Sequence, residues 1–366
     1  MSTASTPPSA RKGYLDWLRG VGVLVMIQGH VIDSWTVAVD RDRDAYHWIT
    51  FVGGIGGAPV FLFLAGVAVV LGAATRMRHG RTEAEAAALA RRRGWQIFGL
   101  AFLFRLQSWI ISGDSLRTLL KVDILNVMGL AMIAGALLWG AGRGRRSRAM
   151  LFATAAVAIP MLTPILRASE LLGALPDPIE SYLRPVAGAT TFTLFPWAGF
   201  LLAGGAAGFW LDTRVPGKER RANRALLVGG AALVLAGYGA SFLPPIYEQT
   251  NFWTSSPTFF FIRVGILMML VGAAYVCHAD HTGPLAELGR SSLFVYWIHV
   301  EMAYGVVSAP LHKRLPLEQA YLGFILFSLF LYGLVRMKER VLRFSGARVL
   351  GFRFMGSRRT TEPAQP

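Results

Sequence analysis

Apolar runs of about 20 residues recur along the whole chain, separated by short polar or charged stretches. That length is what an α-helix needs to cross the hydrocarbon core of a bilayer. The pattern predicts ten spans, at about residues 15–37, 51–74, 94–112, 123–141, 149–167, 189–211, 225–244, 258–277, 291–309 and 318–336. The connecting stretches alternate between strongly and weakly basic, and losing one span would break that alternation. One set, with the two tails, holds 26 Lys and Arg; the other holds 8. The excess puts both termini in the cytoplasm. Residues 1–14 read as a disordered cytoplasmic tail, 15–336 as a single transmembrane domain, and 337–366 as a basic cytoplasmic tail. The stretch TRMRHGRTEAEAAALARRRG reads as a short amphipathic helix on the membrane surface before the third span. Pro59 is placed to kink the second span, and the Gly pairs around it permit close helix contact.

Composition agrees with an all-α, polytopic integral membrane protein. The chain is 54% hydrophobic, with a mean hydropathy of +0.45. Its formal charge of +16 sits mainly in loops and tails, so the lipid bilayer accounts for it and nucleic acid is excluded as a partner. The excess of Arg over Lys and the abundance of Ala and Gly suggest a GC-rich bacterial genome, hence a multi-pass protein of the bacterial inner membrane. Cys277 is the single cysteine, so there is no intrachain disulfide and no cysteine cluster for a metal. The first apolar run lacks a cleavable signal-peptide pattern.

Four places carry polar residues that a lipid-facing helix would not tolerate. In the first span, LDWLRGVGVLVMIQGH, Asp16, Arg19 and His30 fall on one stripe. His30 lies roughly 16 Å beyond Arg19, past the midplane. His47 stands just before the second span. Asp123 and Asn126 lie one turn apart at the start of the fourth. In the ninth, Ser292, Tyr296 and His299 share a face, while Glu301 points elsewhere. A histidine can act as general base or nucleophile near neutral pH, so His30, His47 and His299 are the catalytic candidates. Their spacing is not diagnostic of a metal site, and no metal is expected. Arg105 and Arg263 are intramembrane cations that can pair with Asp123 or Glu301 or meet an anionic ligand. Each feature also has a purely structural reading as helix packing or interfacial anchoring.

Taken together, these stretches resemble the transmembrane acyltransferase superfamily. LDWLRGVGVLVMIQGH is similar to its opening helix, with the Leu-Asp-x-x-Arg-Gly start and, at His30, the His of the acyltransferase-3 proteins. The heparan-α-glucosaminide N-acetyltransferase family, which carries Asn there, is the closer resemblance overall. GAPVFLFLAGVAVVLG resembles that family's second helix. VDILNVMGLAM resembles its Leu-Gln-Arg element, with Asn126 at the Gln and Val127 at the Arg. LGRSSLFVYWIHVEMAYG resembles its late helix, where Ser292, Tyr296 and His299 match and Ser291 replaces Asn. The resemblance implies transfer of an acyl group, above all acetyl, from cytoplasmic acyl-CoA to a carbohydrate on the far side of the membrane. It implies that His47 matches the family's active-site His.

On that reading acetyl-CoA or another acyl-CoA is the donor, and a glycan or glycolipid the acceptor. Arg91, Arg92, Arg93 and Arg105 are candidates for the CoA-binding side. Asp16, Arg19, Asp123, Asn126, Ser292 and Tyr296 are supporting residues. Asn126, Tyr296 and His299 are candidate oxyanion donors. Gly-rich faces permit a homodimer. The competing readings are a transporter with an Asp/Arg/His pathway, against which no inverted repeat is found, and a non-catalytic membrane partner.

Overall fold

A computed structural model describes residues 12–113, 115–213, 215–277 and 283–344. The expected N-terminal tail before residue 12 and the C-terminal tail after residue 344 lie outside the described residues, as do His278 and His281. The described residues form thirteen α-helices and no strand. They are α1 (Gly13–Trp35), α2 (Asp44–Gly56), α3 (Ala58–Arg78), α4 (Glu83–Ser112), α5 (Ile124–Ala141), α6 (Gly144–Ala168), α7 (Asp177–Leu183), α8 (Leu194–Leu211), α9 (Pro216–Ala240), α10 (Pro257–Val276), α11 (Pro284–Arg290), α12 (Ser292–Tyr304) and α13 (Leu317–Phe344).

Eight stretches are long and apolar enough to cross a membrane: α1, α2 with α3, α5, α6, α8, α9, α10 and α13. Two further runs, α4 and α11 with α12, connect the same two ends of the bundle. One end is basic and tied by ion pairs: Lys12 to Glu219 at 2.5 Å, Arg78 to Asp212 at 2.6 Å, and Arg148 to Glu83 at 2.5 Å. At the opposite end Val37 N–H donates to Leu315 O at 2.9 Å, Val122 N–H to Ala189 O at 2.9 Å, and Arg43 pairs with Glu318 at 2.6 Å.

Four elements differ from expectation. The helix expected on the membrane surface is not separate, because α4 is one helix of 30 residues. A capping box starts it: Glu85 N–H donates to Thr82 Oγ1 at 3.2 Å, and Thr82 N–H donates back to Glu85 Oε2 at 2.9 Å. Nothing breaks it until Gly113, which takes a left-handed φ of +66°. Second, the run containing the second span begins at Asp44, so His47 sits in the first turn of α2. Its break falls at Gly57 (φ −83°, ψ −112°), directly before Ala58-Pro59. Proline is favoured in the first turn of the new helix, where its missing N–H has no partner to lose. Third, the ninth span is two short helices, broken at Ser291, and it ends at Tyr304. Helix α13 in turn continues to Phe344, so the tail expected from residue 337 starts as helix.

Among the glycines before Pro59, Gly56 packs closely on α1, where an added Cβ would lie 3.0 Å from Val25 Cγ1, but the tightest helix contacts come from other glycines. A Cβ on Gly66 would lie 1.8 Å from Leu201 O, and one on Gly204 would lie 1.9 Å from Phe63 O, which locks α3 to α8. Gly20 and Gly289 do the same between α1 and α11. By contrast Gly29 and Gly54 have nothing within 4 Å. They line an open space between two apolar cores, one built largely on α3, α5, α8 and α10, the other on α1, α12 and α13.

Candidate active site

That open space is a cavity of about 2180 Å³ reaching from one end of the bundle to the other. Arg19, Arg76, Arg93, Arg290 and Lys338 line it on the basic side, and Thr50, Ser112, Lys121 and Tyr304 on the opposite side. His30, Arg105, Asp123, Tyr296 and Glu301 stand between them, and Ser292 lines it near the break before α12.

The registry of α1 against α12 places the histidines. The two helices run parallel, and Ser34 Oγ and Trp35 Nε1 both donate to Ala303 O, at 2.7 and 3.1 Å. One turn earlier on each helix, His30 Nδ1 lies 2.9 Å from His299 Nε2. The ring planes differ by 7° and the centroids are 5.1 Å apart, so the rings meet edge to edge in one plane. His299 Nδ1 lies 2.8 Å from Val295 O. A carbonyl only accepts, so His299 Nδ1 carries a proton. In the neutral ring its Nε2 is then an acceptor, and His30 Nδ1 donates to it. The same logic leaves His30 Nε2 as a lone pair. His299 is fully buried and off the cavity wall, whereas His30 is on it. The pair can therefore act as a base (His30) held in one tautomer by a buried partner (His299).

A second polar group surrounds Asp123, the N-cap of α5. Its Oδ1 accepts from Ile124 N–H at 2.6 Å. Its Oδ2 accepts from Arg105 Nη2 at 2.9 Å and from Tyr296 OH at 3.3 Å. Asn126 completes the capping box by accepting from Asp123 N–H at 3.0 Å, and its Nδ2 donates to Tyr182 OH at 3.3 Å. Asn126 is buried away from the cavity, so it serves the helix start. Of the oxyanion donors named above, those of Tyr296 and His299 are thus already engaged, and Asn126 lies off the cavity. Arg105 has a buried Nε–H without a partner.

Other sequence candidates lie apart from this group. Asp16 is buried and accepts from Arg19 at 3.3 Å. Arg91 and Arg92 are exposed on α4 and away from the cavity, while Arg93 faces it. His47 is exposed, with its ring edge-on to Tyr46, and is not part of the wall. Arg263 pairs with no carboxylate among the described residues; it is buried against Trp197, Phe200 and Phe259, with its guanidinium 4.6 Å from the Phe259 centroid.

Sequence reasoning set Glu301 aside as pointing away from His299, and it missed Arg76, Arg290 and Lys338 as cavity residues. Glu301 reaches the cavity from α12 on the side of Ser108, and its Oε1 is buried without a hydrogen bond. A lone carboxylate in an apolar helix was the available signal. No carboxylate lies within ion-pair distance of Arg76 or Arg93 among the described residues. Lys338 Nζ donates to Ser291 Oγ at 2.6 Å, which holds the ammonium at the break before α12.

A search of curated proteins found no match. The family described as heparan-alpha-glucosaminide N-acetyltransferase, catalytic, matches residues 11–247, a stretch that carries His30, His47, Arg105 and Asp123 and ends before α12. With that match over more than half its length, the chain belongs to the heparan-alpha-glucosaminide N-acetyltransferase catalytic family and is a multi-pass membrane acetyltransferase.

Proposed function

We propose that the chain transfers an acetyl group from acetyl-CoA, bound from the cytoplasmic basic end, to a carbohydrate entering from the opposite side of a bacterial inner membrane. One observation carries the reading: a single cavity joins both ends, with a cluster of cations at one mouth and a tautomer-fixed histidine in its wall. Arg76, Arg93, Arg290 and Lys338 suit the phosphates of CoA. From Arg19 to His30 is about 16 Å along α1, a distance that the extended pantetheine arm covers.

His30 Nε2 takes the proton from the acceptor amine or hydroxyl as that atom attacks the thioester carbonyl. Arg105, with its unused Nε–H, offsets the charge that grows on the carbonyl oxygen. The carbon–sulfur bond then breaks, and His30 returns the proton to the leaving sulfur. The products are the acetylated sugar and free CoA thiol. Asp123 holds Arg105 in place, and His299 holds His30. Glu301, on the cavity wall beyond Arg105, suits an acceptor that carries an amine, so the reading favours an amide product.

Purified protein in uncharged detergent should gain thermal stability with acetyl-CoA and none with free acetate. The gain should shrink in Arg76→Gln/Arg93→Gln. Equal stabilisation by acetate, or an unchanged response in the double variant, would contradict this placement of the donor.

A further inference from the structure

A second groove lies at the basic end, on the outer flank of the bundle and apart from the cavity. It has a volume of about 610 Å³ and runs between the starts of α6 and α9 and the end of α8. From α6 come Arg145 and Arg146, and from α9 Lys218 and Arg221. All four are exposed, and none has a carboxylate within ion-pair distance among the described residues. The nearby carboxylates are engaged elsewhere: Asp212 with Arg78 at 2.6 Å and Glu219 with Lys12 at 2.5 Å. Arg145 Nη2 donates to Phe209 O, which ties it across the groove to the C-terminal turn of α8.

The helix starts add to the positive field. Neither Arg143 before α6 nor Val215 before α9 gives a side-chain cap, so the first-turn N–H groups of both helices are uncapped by their own sequence. The floor is apolar and small, with Ala149, Ala222 and Ala225, and the rim carries Trp210, which is 62% exposed. Beyond it, Met150 and Val228 present the exposed apolar faces of α6 and α9. Four cations over a narrow floor, an indole at the rim and apolar helix surface below match the layers of a lipid: headgroup phosphate, interface and acyl chain.

We propose that this groove binds the headgroup of an anionic phospholipid. The phosphate sits among Arg145, Arg146, Lys218 and Arg221, and the acyl chains run down the α6 and α9 faces. Soluble phosphates share the headgroup chemistry but leave Trp210 and the apolar faces uncovered, so the lipid is the occupant assigned.

The test uses the full chain in uncharged detergent and measures bound lipid by native mass spectrometry, titrating phosphatidylglycerol, phosphatidylcholine and inorganic phosphate. Phosphatidylglycerol should bind, and its apparent affinity should fall at least about tenfold in Arg146→Gln/Arg221→Gln. The matched pair Arg220→Gln/Arg224→Gln removes the same charge from exposed positions on α9 outside the groove and should stay within about twofold of the parent. Thermal unfolding of both pairs in detergent alone checks that each remains folded. Equal loss in the two pairs would reduce the groove to general positive charge and overturn the proposal. Phosphatidylcholine binding as tightly, or inorganic phosphate displacing the lipid at millimolar concentration, would overturn it as well.

Discussion

His30 and His299 share one in-plane hydrogen bond of 2.9 Å, and the carbonyl of Val295 decides which ring donates in it. The consequence is chemical. A free histidine in a cavity would divide between two tautomers, whereas this one presents a lone pair on Nε2. Replacing His299 by Gln preserves an acceptor toward His30 and a donor toward Val295 O, whereas Leu removes both. His299→Leu should lower kcat by roughly tenfold to hundredfold, the scale on which outer partners of metal-bound histidines act. His299→Gln should recover much of that loss. The check is steady-state acetyl transfer with KM for acetyl-CoA followed in parallel, since a positioning role moves kcat and leaves KM in place.

The cations of the basic mouth should behave in the opposite way. Arg76 and Arg93 face the cavity from α3 and α4 without carboxylate partners among the described residues. A charge-assisted hydrogen bond to phosphate contributes about 1.5–3 kcal/mol. Arg76→Gln and Arg93→Gln should each raise KM for acetyl-CoA by at least about tenfold with kcat little changed. Arg91→Gln and Arg92→Gln, on the exposed side of α4, should change KM by no more than about twofold. Kinetics over a range of acetyl-CoA concentrations separates the two pairs.

Glu301 tests the chemistry of the acceptor. Its carboxylate reaches the cavity with one oxygen unpaired. Glu301→Gln should raise KM for an amino-sugar acceptor by about tenfold and leave a hydroxyl acceptor of the same shape within about twofold. Loss of both acceptors to the same degree would assign Glu301 to the packing of α4 against α12.

Backbone approach between α1 and α11 leaves no room for a side chain near the site. A Cβ on Gly20 would stand 1.9 Å from Leu285 O, a backbone atom that cannot swing aside. Gly20→Ala should destabilise by about 1–3 kcal/mol through overpacking. Gly333, inside α13, has nothing within 4 Å. Gly333→Ala should be neutral or stabilising by up to about 1 kcal/mol, the difference in helix propensity. Thermal unfolding of the two variants in detergent makes the comparison.

Much of the fold could be read from the chain because a crossing helix must carry its own apolar length, and that is a local property. The polar stripe of α1 and the pair Asp123 and Asn126 stood out for the same reason. What those residues do was less accessible. Asp123 and Asn126 form a helix cap, and their spacing of three residues also fits a pair facing a cavity. The continuity of α4 was hidden because its three consecutive arginines look like an interface boundary. The pairing of His30 with His299 has no local signal at all. It comes from the parallel packing of two helices that brings together residues 269 positions apart, set by Ser34 and Trp35 on Ala303 O. Glu301 was set aside because the helical wheel puts it away from His299. Both positions matter, since His299 backs His30 from behind the wall while Glu301 faces the cavity beside α4.

Transfer of radiolabelled acetyl from acetyl-CoA to an amino-sugar acceptor, measured side by side for His30→Ala and His47→Ala, tests the central claim most directly. His30→Ala should lose about 10²–10⁴-fold in kcat, the usual contribution of a positioned general base. His47→Ala, which removes an exposed ring outside the cavity wall, should keep activity within about twofold. Full activity in His30→Ala with loss in His47→Ala would place the base at the mouth of the cavity and contradict the account.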